Sequence, residues 1–571
     1  WVVFNGEIYN FRELRRDLET RGHHFSTATD TETIVHLYEE HGPHCVDRLR
    51  GMFAFAVWDD RRRQLLLARD RLGIKPLYYA EAGGRFMFAS ELKAILQLPE
   101  VERRLNWRAV NHLFTCLTTP HDESILDGIR KLEPGHSLIV APGCAPRAER
   151  YWDVRFEPDF GRSEADFIEQ LRELLEEAVR LHLVSDVPLG AFLSGGIDSG
   201  SVVAMMTRQS ARPVKTFSIG FPAQDYSELA YARLVAKAFG TEHHELVLQP
   251  DVIGILDDLA WFMDEPFGDS SAIPTYMVSK LASEHVTVVL SGDGGDELFA
   301  GYDKYVAELR KRRFRFIPDR VRRAVGAVTA LMPTGMRGHN FLRHISLPDR
   351  ERYFDACTLF RKTQQQKLFR SEVLELFADY DPWAAAVTCL GNANGDWLSA
   401  LQYLDMHTYL PHDILTKVDR MSMAHSIEVR PPILDHTLVE FAATIPPNLK
   451  LRNGTTKYIL KRALRGILPD AVIDRAKRGF AIPLGRWFRG QLREFVRELL
   501  LSETSRSRRI FNLEYIEELT RRREKGLETD LDLELWTLIS FELWCRTFLD
   551  GGRTPAPMAR SDVGRLMRAS A

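Results

Sequence analysis

Two glycine-rich turns carry most of the residues in this chain that could do chemistry. The first turn, at 194–199, reads S-G-G-I-D-S and follows the apolar run 187–193. Adjacent glycines let the backbone turn tightly, and the N–H groups at the start of the following helix can cradle an anion. The candidates for holding a polyphosphate and its cation are Ser194, Gly195, Gly196, Asp198 and Ser199. Taken alone, the turn could also be a structural glycine turn with an Asp or Ser helix cap.

The second turn, at 291–297, reads S-G-D-G-G-D-E and follows the apolar run 286–290. Glycines and carboxylates at this density are poor packing material and are typical of a binding site. The spacing is not that of a Ca²⁺-binding EF-hand, and the preceding run reads as a strand rather than a helix. Because both turns follow buried strands, we expect them to face each other across one pocket, with Asp198 as a Mg²⁺ ligand beside the phosphates.

The segments around these turns predict a doubly wound parallel sheet. A capping box at Ser163 and Asp166 opens a long helix, and strands then alternate with helices. The predicted strands are 187–193, 216–221, 245–248 and 286–290, and the predicted helices are 227–239, 251–263 and 274–284. From 303 to 550 the pattern is almost entirely helical. We expect 551–571, which is polar and contains proline, to be a mobile tail.

Residues 1–150 have a different pattern of apolar runs, which predicts a β-rich domain with short helices. A hairpin is expected at 52–58 and 64–69 because a run of charged residues separates two apolar runs. The other predicted elements are strand 2–4, a loop at 5–7, helices 11–18 and 31–40, and strands 77–79, 85–89 and 135–140, the last in the domain. The sequence thus predicts one domain at 1–150 and a second at 160–550.

Composition excludes several classes of function. The 571 residues are 45% apolar, and 76 basic side chains face 79 acidic ones, which leaves a net charge of −3. That balance gives no general attraction to nucleic acid or to an anionic membrane, and no apolar run reaches the roughly 20 residues of a membrane span. The six cysteines are scattered, which argues against zinc and disulfides and favours a cytoplasmic location. A homodimer is the oligomeric state to test.

Several motifs of this chain resemble those of a known family. The S-G-G-I-D-S turn resembles the PP-loop of ATP pyrophosphatases, and with S-G-D-G-G-D-E-L-F-A-G-Y it is similar to the synthetase domain of the asparagine synthetase family. The similarity continues through 264–266, 410–413, 417–420, 428–432, 457–460 and 479–484. It implies ATP and Mg²⁺ as cofactors. The implied site has Asp198 and Asp296 as Mg²⁺ ligands, Phe192, Ile219, Ser291 and Gly292 in the nucleotide pocket, and Asp293 and Lys457 as catalytic residues.

The start of the chain, N-G-E-I-Y-N at 5–10, resembles the glutamine-binding loop of class II glutaminases, which implies an αββα layered domain. Asn5 and the Gly6 N–H would stabilise the oxyanion, while Glu7 and Asp30 would hold the α-ammonium group of glutamine. Asp30 could instead be a helix N-cap. The family's nucleophile is an N-terminal cysteine, which no residue here replaces, since Cys45 reads as a small buried hydrophobe.

The chain opens on W-V-V-F inside a strand, so we expect the nucleophile and the arginine that binds the glutamine carboxylate to precede Trp1. The alternative is a variant that uses only free ammonia. We expect the chain as given to show no glutaminase activity. The charges at 69–78 and 90–93 are interpreted as structural, tying the glutaminase layers together and facing the synthetase domain.

The resemblance predicts a synthetase that converts aspartate to asparagine through β-aspartyl-AMP, with ammonia from glutamine. The nearest alternative is a homologous enzyme that amidates another carboxylate, on a cell-surface glycan or a peptide intermediate. A β-lactam-forming relative and a non-catalytic nucleotide-binding regulator are further alternatives. The retained glutamine-binding residues argue against the first of these, and the retained Asp198, Asp293, Asp296 and Lys457 argue against the second. Acceptor specificity is not readable from spacing, although Arg430 is a candidate.

Overall fold

The computed structural model describes residues 1–222, 227–248, 253–332, 336, 338–392, 396–476, 479, 482–490, 492–524 and 531–550. The expected tail at 551–571, the first residues of the predicted helix 251–263 and two residues of the 479–484 motif lie outside these described residues. No described helix is both long enough and apolar enough to span a bilayer.

Two antiparallel sheets form the N-terminal domain. Its strands are β1 (Val2–Ile8), β2 (Gly51–Asp59), β3 (Gln64–Arg69), β4 (Tyr78–Ala82), β5 (Arg85–Ala89), β6 (Ile129–Lys131), β7 (His136–Val140) and β8 (Arg147–Arg150). The larger sheet has the order β1-β2-β3-β7-β8, and the smaller one has the order β5-β4-β6. The predicted hairpin is confirmed, since β2 and β3 pair from Ala54 opposite Arg69 to Asp59 opposite Gln64.

Two expectations for this domain are wrong. The predicted loop at 5–7 is part of β1, which continues to Ile8 because every residue from Val2 onward pairs with β2. The strand predicted to be the last in the domain is followed by β8, which pairs with β7. In both places the pairing partner outweighs the weak strand propensity of the local sequence.

The helices of this domain are α1 (Phe11–Thr20), α2 (Asp30–His41), α3 (Leu92–Ile95) and α4 (Trp107–Cys116). Helix α2 packs Ile34 and Leu37 into a core shared with Phe53 and Phe55 of β2. Its N-cap is Thr29, whose side chain accepts a hydrogen bond from the Glu32 N–H. The N-cap interpretation of Asp30 is therefore wrong, and Asp30 is the first helical residue.

The second domain is built on a parallel sheet, as the sequence predicts. Its strands are β9 (Leu189–Phe192), β10 (Lys215–Gly220), β11 (Glu242–Val247), β12 (Val288–Leu290) and β13 (Glu428–Arg430). They lie in the order β11-β10-β9-β12-β13 and all pair in parallel. The chain leaves β9 on one side for β10 and returns on the other side as β12. This boundary is the topological switch point, where ligands bind in sheets of this class.

The helices around this sheet are α5 (Glu164–His182), α6 (Ile197–Gln209), α7 (Leu229–Phe239), α8 (Leu256–Met263), α9 (Ala272–Ser283) and α10 (Gly295–Phe299). The capping box that opens α5 is confirmed, because Ser163 and Asp166 each bond the other's backbone N–H. Helix α6 begins within the first glycine turn, at Ile197, and α10 begins within the second, at Gly295.

In the described residues beyond 303 the fold is helical, apart from one strand that the sequence does not predict. Strand β13 lies inside this region and completes the parallel sheet beside β12. The helices are α11 (Asp303–Lys311), α12 (Asp319–Ala330), α13 (His339–Ser346), α14 (Asp349–Cys357), α15 (Lys362–Leu368), α16 (Ser371–Leu376), α17 (Ala384–Asn392), α18 (Trp397–His407), α19 (Thr416–Met423), α20 (His436–Thr444), α21 (Pro447–Lys450), α22 (Tyr458–Leu464), α23 (Asp470–Ile473), α24 (Leu484–Arg489), α25 (Leu492–Leu500), α26 (Glu503–Ser507), α27 (Leu513–Glu524) and α28 (Leu531–Phe548).

Buried ion pairs join the two domains. Lys75 Nζ lies 2.9 Å from Asp419 Oδ1, and Lys93 Nζ lies 3.3 Å from Asp264 Oδ1. Arg69 acts within the first domain, where its guanidinium donates to the carbonyls of Gly73, Lys75 and Leu132. The structural interpretation of the charges at 69–78 and 90–93 is confirmed for these three side chains.

Candidate active site

A cavity of about 620 Å³ opens at the switch point between β9 and β12. The two glycine turns form its floor, and α22 and α19 contribute to its walls. The predicted site residues that line it are Phe192, Ser194, Gly196, Asp198, Ser199, Ile219, Ser291, Gly292, Asp293, Asp296 and Lys457. Gly195 belongs to the same turn, but it is not among the lining residues. The prediction that the two turns share one pocket is confirmed.

The two turns are in direct contact. A Cβ atom added to Gly295, at the start of α10, would lie 2.2 Å from Oδ1 of Asp198. Any other residue at position 295 would therefore displace the Asp198 carboxylate from its place against the second turn. The glycine is needed at this point for close approach rather than for an unusual backbone angle.

The first turn is held by its own serines. The Ser194 N–H donates to Ser199 Oγ at 3.2 Å, and the two hydroxyl oxygens lie 3.0 Å apart. The Gly196 N–H donates to Ser194 Oγ at 3.3 Å. These short bonds fix the turn at the N-terminal end of α6, a helix of 13 residues. The positive end of the helix dipole there favours a bound anion such as a phosphate group.

A lysine ammonium group lies between two carboxylates in this pocket. Lys457 Nζ is 2.5 Å from Asp198 Oδ2 and 2.7 Å from Asp296 Oδ1, and the Lys457 side chain is only 4% exposed. Lys457 has a left-handed backbone angle, φ +53°, just before α22. Its N–H donates to the Phe299 carbonyl at 3.2 Å, and a Cβ at Gly301 would meet the lysine Cε at 2.2 Å. An unfavourable conformation retained at this residue is typical of a functional site.

The same carboxylates fit a divalent cation. Oδ1 of Asp198 is buried and makes no hydrogen bond within the described part of the chain. Asp198 and Asp296 come from different turns, yet they converge on one positive charge. Carboxylate oxygens are the ligands that Mg²⁺ prefers, and this ion keeps several of its waters in such sites. The residues present are therefore suited to holding Mg²⁺.

Two further carboxylates lie against the pocket. Ser291 Oγ donates to Asp293 Oδ2 at 2.7 Å, which orients the predicted catalytic carboxylate. Glu297 receives a hydrogen bond of 2.5 Å from the Tyr302 hydroxyl. Burial raises the pKa of Glu297 to about 7, and the tyrosine offsets only part of that effect. Glu297 and Tyr302 both line the cavity, and neither was predicted from the sequence to be a site residue.

The pocket wall also carries a charged group that the sequence analysis missed. Lys417, the second residue of α19, has its Nζ 2.6 Å from Asp269 Oδ2 and 3.2 Å from Asp413 Oδ1. Lys417 holds the pKa of Asp269 at about 2, whereas burial and the nearby Asp269 charge raise the pKa of Asp413 to about 8. At neutral pH, Asp269 and Lys417 thus form the charged pair. Both line the cavity.

The four residues that were predicted to bind glutamine lie near the start of the chain, in the N-terminal domain. Asn5, Gly6 and Glu7 lie on β1, and Asp30 opens α2. Asn5 Nδ2 donates to Ser90 Oγ at 3.2 Å. The N–H of Ile8, the residue after Glu7, donates to Asp30 Oδ2 at 3.0 Å. This bond links the end of β1 to the start of α2.

Glu7 is paired with a residue of the other domain. Arg430 Nη2 lies 3.0 Å from Glu7 Oε2, and Arg430 Nε lies 2.6 Å from Glu428 Oε1. Burial raises the pKa of Glu7 to about 7, because desolvation and the nearby Asp30 outweigh the attraction of Arg430. Arg430 is not among the residues that line the cavity at the switch point, and its side chain lies at the domain boundary. Its suggested role in acceptor specificity stays a prediction.

Cys45 is fully buried within a short 3₁₀ helix, Gly42–Arg48. Burial raises the pKa of its thiol to about 12, so the reactive thiolate is scarce at neutral pH. The interpretation of Cys45 as a small buried hydrophobe is confirmed.

Comparison with known proteins places this geometry in a family. The family model described as "Asparagine synthase" matches residues 170–546, and the one described as "Glutamine amidotransferase domain" matches residues 1–152. Asparagine synthetase [glutamine-hydrolyzing] 1 of Bacillus subtilis is 35% identical over 545 residues, which are 95% of this chain and 85% of the relative. A putative asparagine synthetase [glutamine-hydrolyzing] of Mycobacterium tuberculosis is 37% identical, over 97% of this chain and 85% of the relative.

A more distant relative carries another name. Amidase chry2 of Gibberella zeae is 28% identical over 87% of this chain and 79% of its own length. The extent of the match to the bacterial enzymes nevertheless covers both domains described above. The chain belongs to the family of glutamine-hydrolysing asparagine synthetases.

Proposed function

We propose that this chain amidates aspartate in two steps, with residues 160–550 as the synthetase domain and residues 1–150 as an αββα glutaminase domain that supplies ammonia. In the first step an oxygen of the side-chain carboxylate attacks the α-phosphorus of ATP, and pyrophosphate leaves. In the second step ammonia attacks the acyl carbon of β-aspartyl-AMP, AMP leaves, and the nitrogen loses a proton. The observation that carries this proposal is the convergence of Asp198, Asp296 and Lys457 where the two glycine turns meet.

The first turn would bind the β- and γ-phosphates through its backbone N–H groups and the hydroxyls of Ser194 and Ser199. Asp198 and Asp296 would hold Mg²⁺, which supplies charge compensation for the phosphates when it is bound. Lys457 contacts both carboxylates. If Mg²⁺ took over these carboxylates, the lysine ammonium group would be free to bind the departing pyrophosphate. Gly195, Phe192, Ile219, Ser291 and Gly292 would complete the nucleotide site.

Asp293 is the proposed acceptor of the ammonia proton. Its carboxylate is held by the Ser291 hydroxyl in the turn that contacts Asp198. A carboxylate at this position could take a proton from the attacking nitrogen as the C–N bond forms.

The charged pair on the pocket wall supports an amino acid as the acceptor. Aspartate carries a free α-ammonium and a free α-carboxylate besides the carboxylate that reacts. Asp269 is an ion that can accept from the α-ammonium, and Lys417 can donate to the α-carboxylate. A carboxylate on a glycan or within a peptide has no such pair of charges to offer. This is the observation that favours aspartate over the alternative acceptors.

For ammonia supply, Glu7 and Asp30 would bind the α-ammonium of glutamine, while Asn5 and the Gly6 N–H would stabilise the oxyanion. Asp30 lies close enough to Glu7 to raise the pKa of that carboxyl further. Both have their pKa raised mainly by burial, which suits a site that gains a cation from its ligand.

The decisive experiment measures pyrophosphate release by this chain with ATP, Mg²⁺ and ammonium, with and without aspartate. Release that requires aspartate and yields asparagine supports the proposal. Release that requires another carboxylic acid from a panel moves the function to the homologous amide synthetase. In the first case, Lys417→Met should raise the KM for aspartate at least tenfold while the KM for ATP changes little, and an equal rise in both would contradict the acceptor assignment.

A further inference from the structure

A group of side chains on the N-terminal domain, none of them a residue of the two sites described above, has the composition of a transition-metal site. His36 and Glu39 lie three residues apart on α2, and His23 belongs to the segment that follows α1. Their donor atoms converge. Nδ1 of His23 is 3.1 Å from Nδ1 of His36 and 3.6 Å from Oε2 of Glu39, and Nδ1 of His36 is 3.1 Å from that same oxygen. We call these three residues the α2 triad.

The size of this triangle fits one small cation. Donors bound at about 2.0–2.1 Å around a tetrahedral Zn²⁺ are about 3.3 Å from one another by geometry. The three sides measured here, 3.1, 3.1 and 3.6 Å, bracket that value. Within the described ranges, no other group of three or more His, Cys, Asp or Glu side chains brings its donor atoms so close together.

The outer neighbours of the histidines point to the same conclusion. His23 Nε2 lies 2.9 Å from Glu40 Oε1, and His36 Nε2 lies 3.7 Å from Glu32 Oε1. A carboxylate favours a hydrogen on the ring nitrogen that it faces, which leaves a lone pair on the other nitrogen. His23 Nδ1 is then an acceptor that faces His36 Nδ1 and the Glu39 oxygen. A proton on His36 Nδ1 or a cation at the centre of the triangle would balance these lone pairs, and the three similar distances match a cation.

We propose that the α2 triad binds Zn²⁺, with water in the fourth position beside the half-exposed Glu39. Two imidazoles and a carboxylate are a donor set that zinc sites use. The scattered cysteines argue only against thiolate sites, so they do not bear on this one. Bound zinc would fasten the segment after α1 to α2, the helix that begins at Asp30 and bonds the Ile8 N–H.

The test is a Zn²⁺ titration against a competing chromophoric chelator, performed in excess Mg²⁺ so that the carboxylates of the nucleotide pocket are occupied. We expect one Zn²⁺ per chain, and loss of that binding in His23→Ala and in His36→Ala. His44→Ala is the matched control, because this histidine lies in the same domain but is 81% exposed and outside the α2 triad. Co²⁺ in place of Zn²⁺ should give the intense visible absorption of a tetrahedral site in the wild type and in His44→Ala only.

A variant that keeps all three ligands sharpens the test. Glu40→Gln should weaken Zn²⁺ binding by about 10- to 100-fold, the usual effect of losing an outer carboxylate. This variant also serves if an alanine variant fails to fold. Zinc bound equally by the wild type and His36→Ala, or a Co²⁺ spectrum unchanged in His23→Ala, would overturn the proposal. So would Zn²⁺ affinity that does not respond to Glu40→Gln.

Discussion

The pocket proposed to bind ATP and the region proposed to bind glutamine use similar charged groups in different ways. In the pocket, Lys457 pairs with Asp198 and Asp296, and all three belong to the domain built on the parallel sheet. On the glutamine side, Glu7 of the first domain depends on Arg430 of the second. The pocket is therefore complete within one domain, whereas the charge balance of the glutamine side requires both. Substitutions in the two regions should differ accordingly in what they damage.

The largest expected effect is on catalysis in the self-contained pocket. Asp198→Asn should lower aspartate-dependent pyrophosphate release by about 100- to 1000-fold, because it removes a charge that positions the cation and Lys457. Circular dichroism should show an unchanged fold, since the amide has the shape of the carboxylate. Asp470→Asn is the control, as that carboxylate is 76% exposed in the same domain. Unchanged turnover in Asp198→Asn would remove the proposed metal role.

The second largest expected effect is a loss of stability at the boundary between the two domains, where Arg430 contacts Glu7. Arg430→Met should lower the free energy of unfolding by about 1–3 kcal/mol at pH 8, because it leaves the partly buried carboxylates of Glu7 and Glu428 without their cation. Urea denaturation measures this change. Arg452→Met is the matched control, since that side chain is 48% exposed and its ion pair with Glu164 should contribute only about 0–1 kcal/mol.

The double variant Glu7→Gln with Arg430→Met tests the pairing itself. It should recover part of the stability lost in Arg430→Met, since one of the uncompensated carboxylates is gone. A double variant that is less stable than Arg430→Met alone would show that the Glu7–Arg430 contact is not the source of the loss.

The third expected effect is a pH dependence of the unfolding free energy, caused by Glu7 at the boundary between the two domains. The pKa of Glu7 is about 7 in the folded chain and about 4.5 when it is unperturbed. Between these values the folded state binds the proton more tightly, so Glu7 alone should account for a loss of about 2–3 kcal/mol of unfolding free energy as the pH rises from 5 to 8. Glu7→Gln should lack this part of the slope while keeping the part from Glu297, whose pKa is also about 7. Identical slopes in both proteins would contradict the assignment.

The smallest expected effect comes from a substitution that lies outside both regions. Ser163→Ala removes the side-chain cap of α5 and should cost about 1 kcal/mol of unfolding free energy. Pyrophosphate release should stay at the wild-type level. A loss well above this value would mean that the start of α5 supports one of the two sites.

How much the sequence predicts also differs between the two regions. The turns at 194–199 and 291–297 were predictable because glycines and carboxylates after apolar strands are local signals. The pairing of Lys457 with Asp198 depends on residues 259 positions apart, and only the family resemblance could suggest it. Strand β13 was missed because three residues carry no periodicity, and its assignment depends on pairing with β12. Lys417 was quoted only within a motif, since its partner Asp269 lies 148 positions away.

Arg430 constrains any exchange of the two halves of this chain. Its carbonyl accepts a hydrogen bond from the Ser291 N–H in the second glycine turn, and its guanidinium contacts Glu7. A single residue therefore belongs to the architecture of both halves. A chimera that joins this synthetase half to a foreign glutaminase half would inherit an arginine selected for a carboxylate that the new partner must also provide. Exchange of halves between relatives should succeed only when both members of this pair travel together.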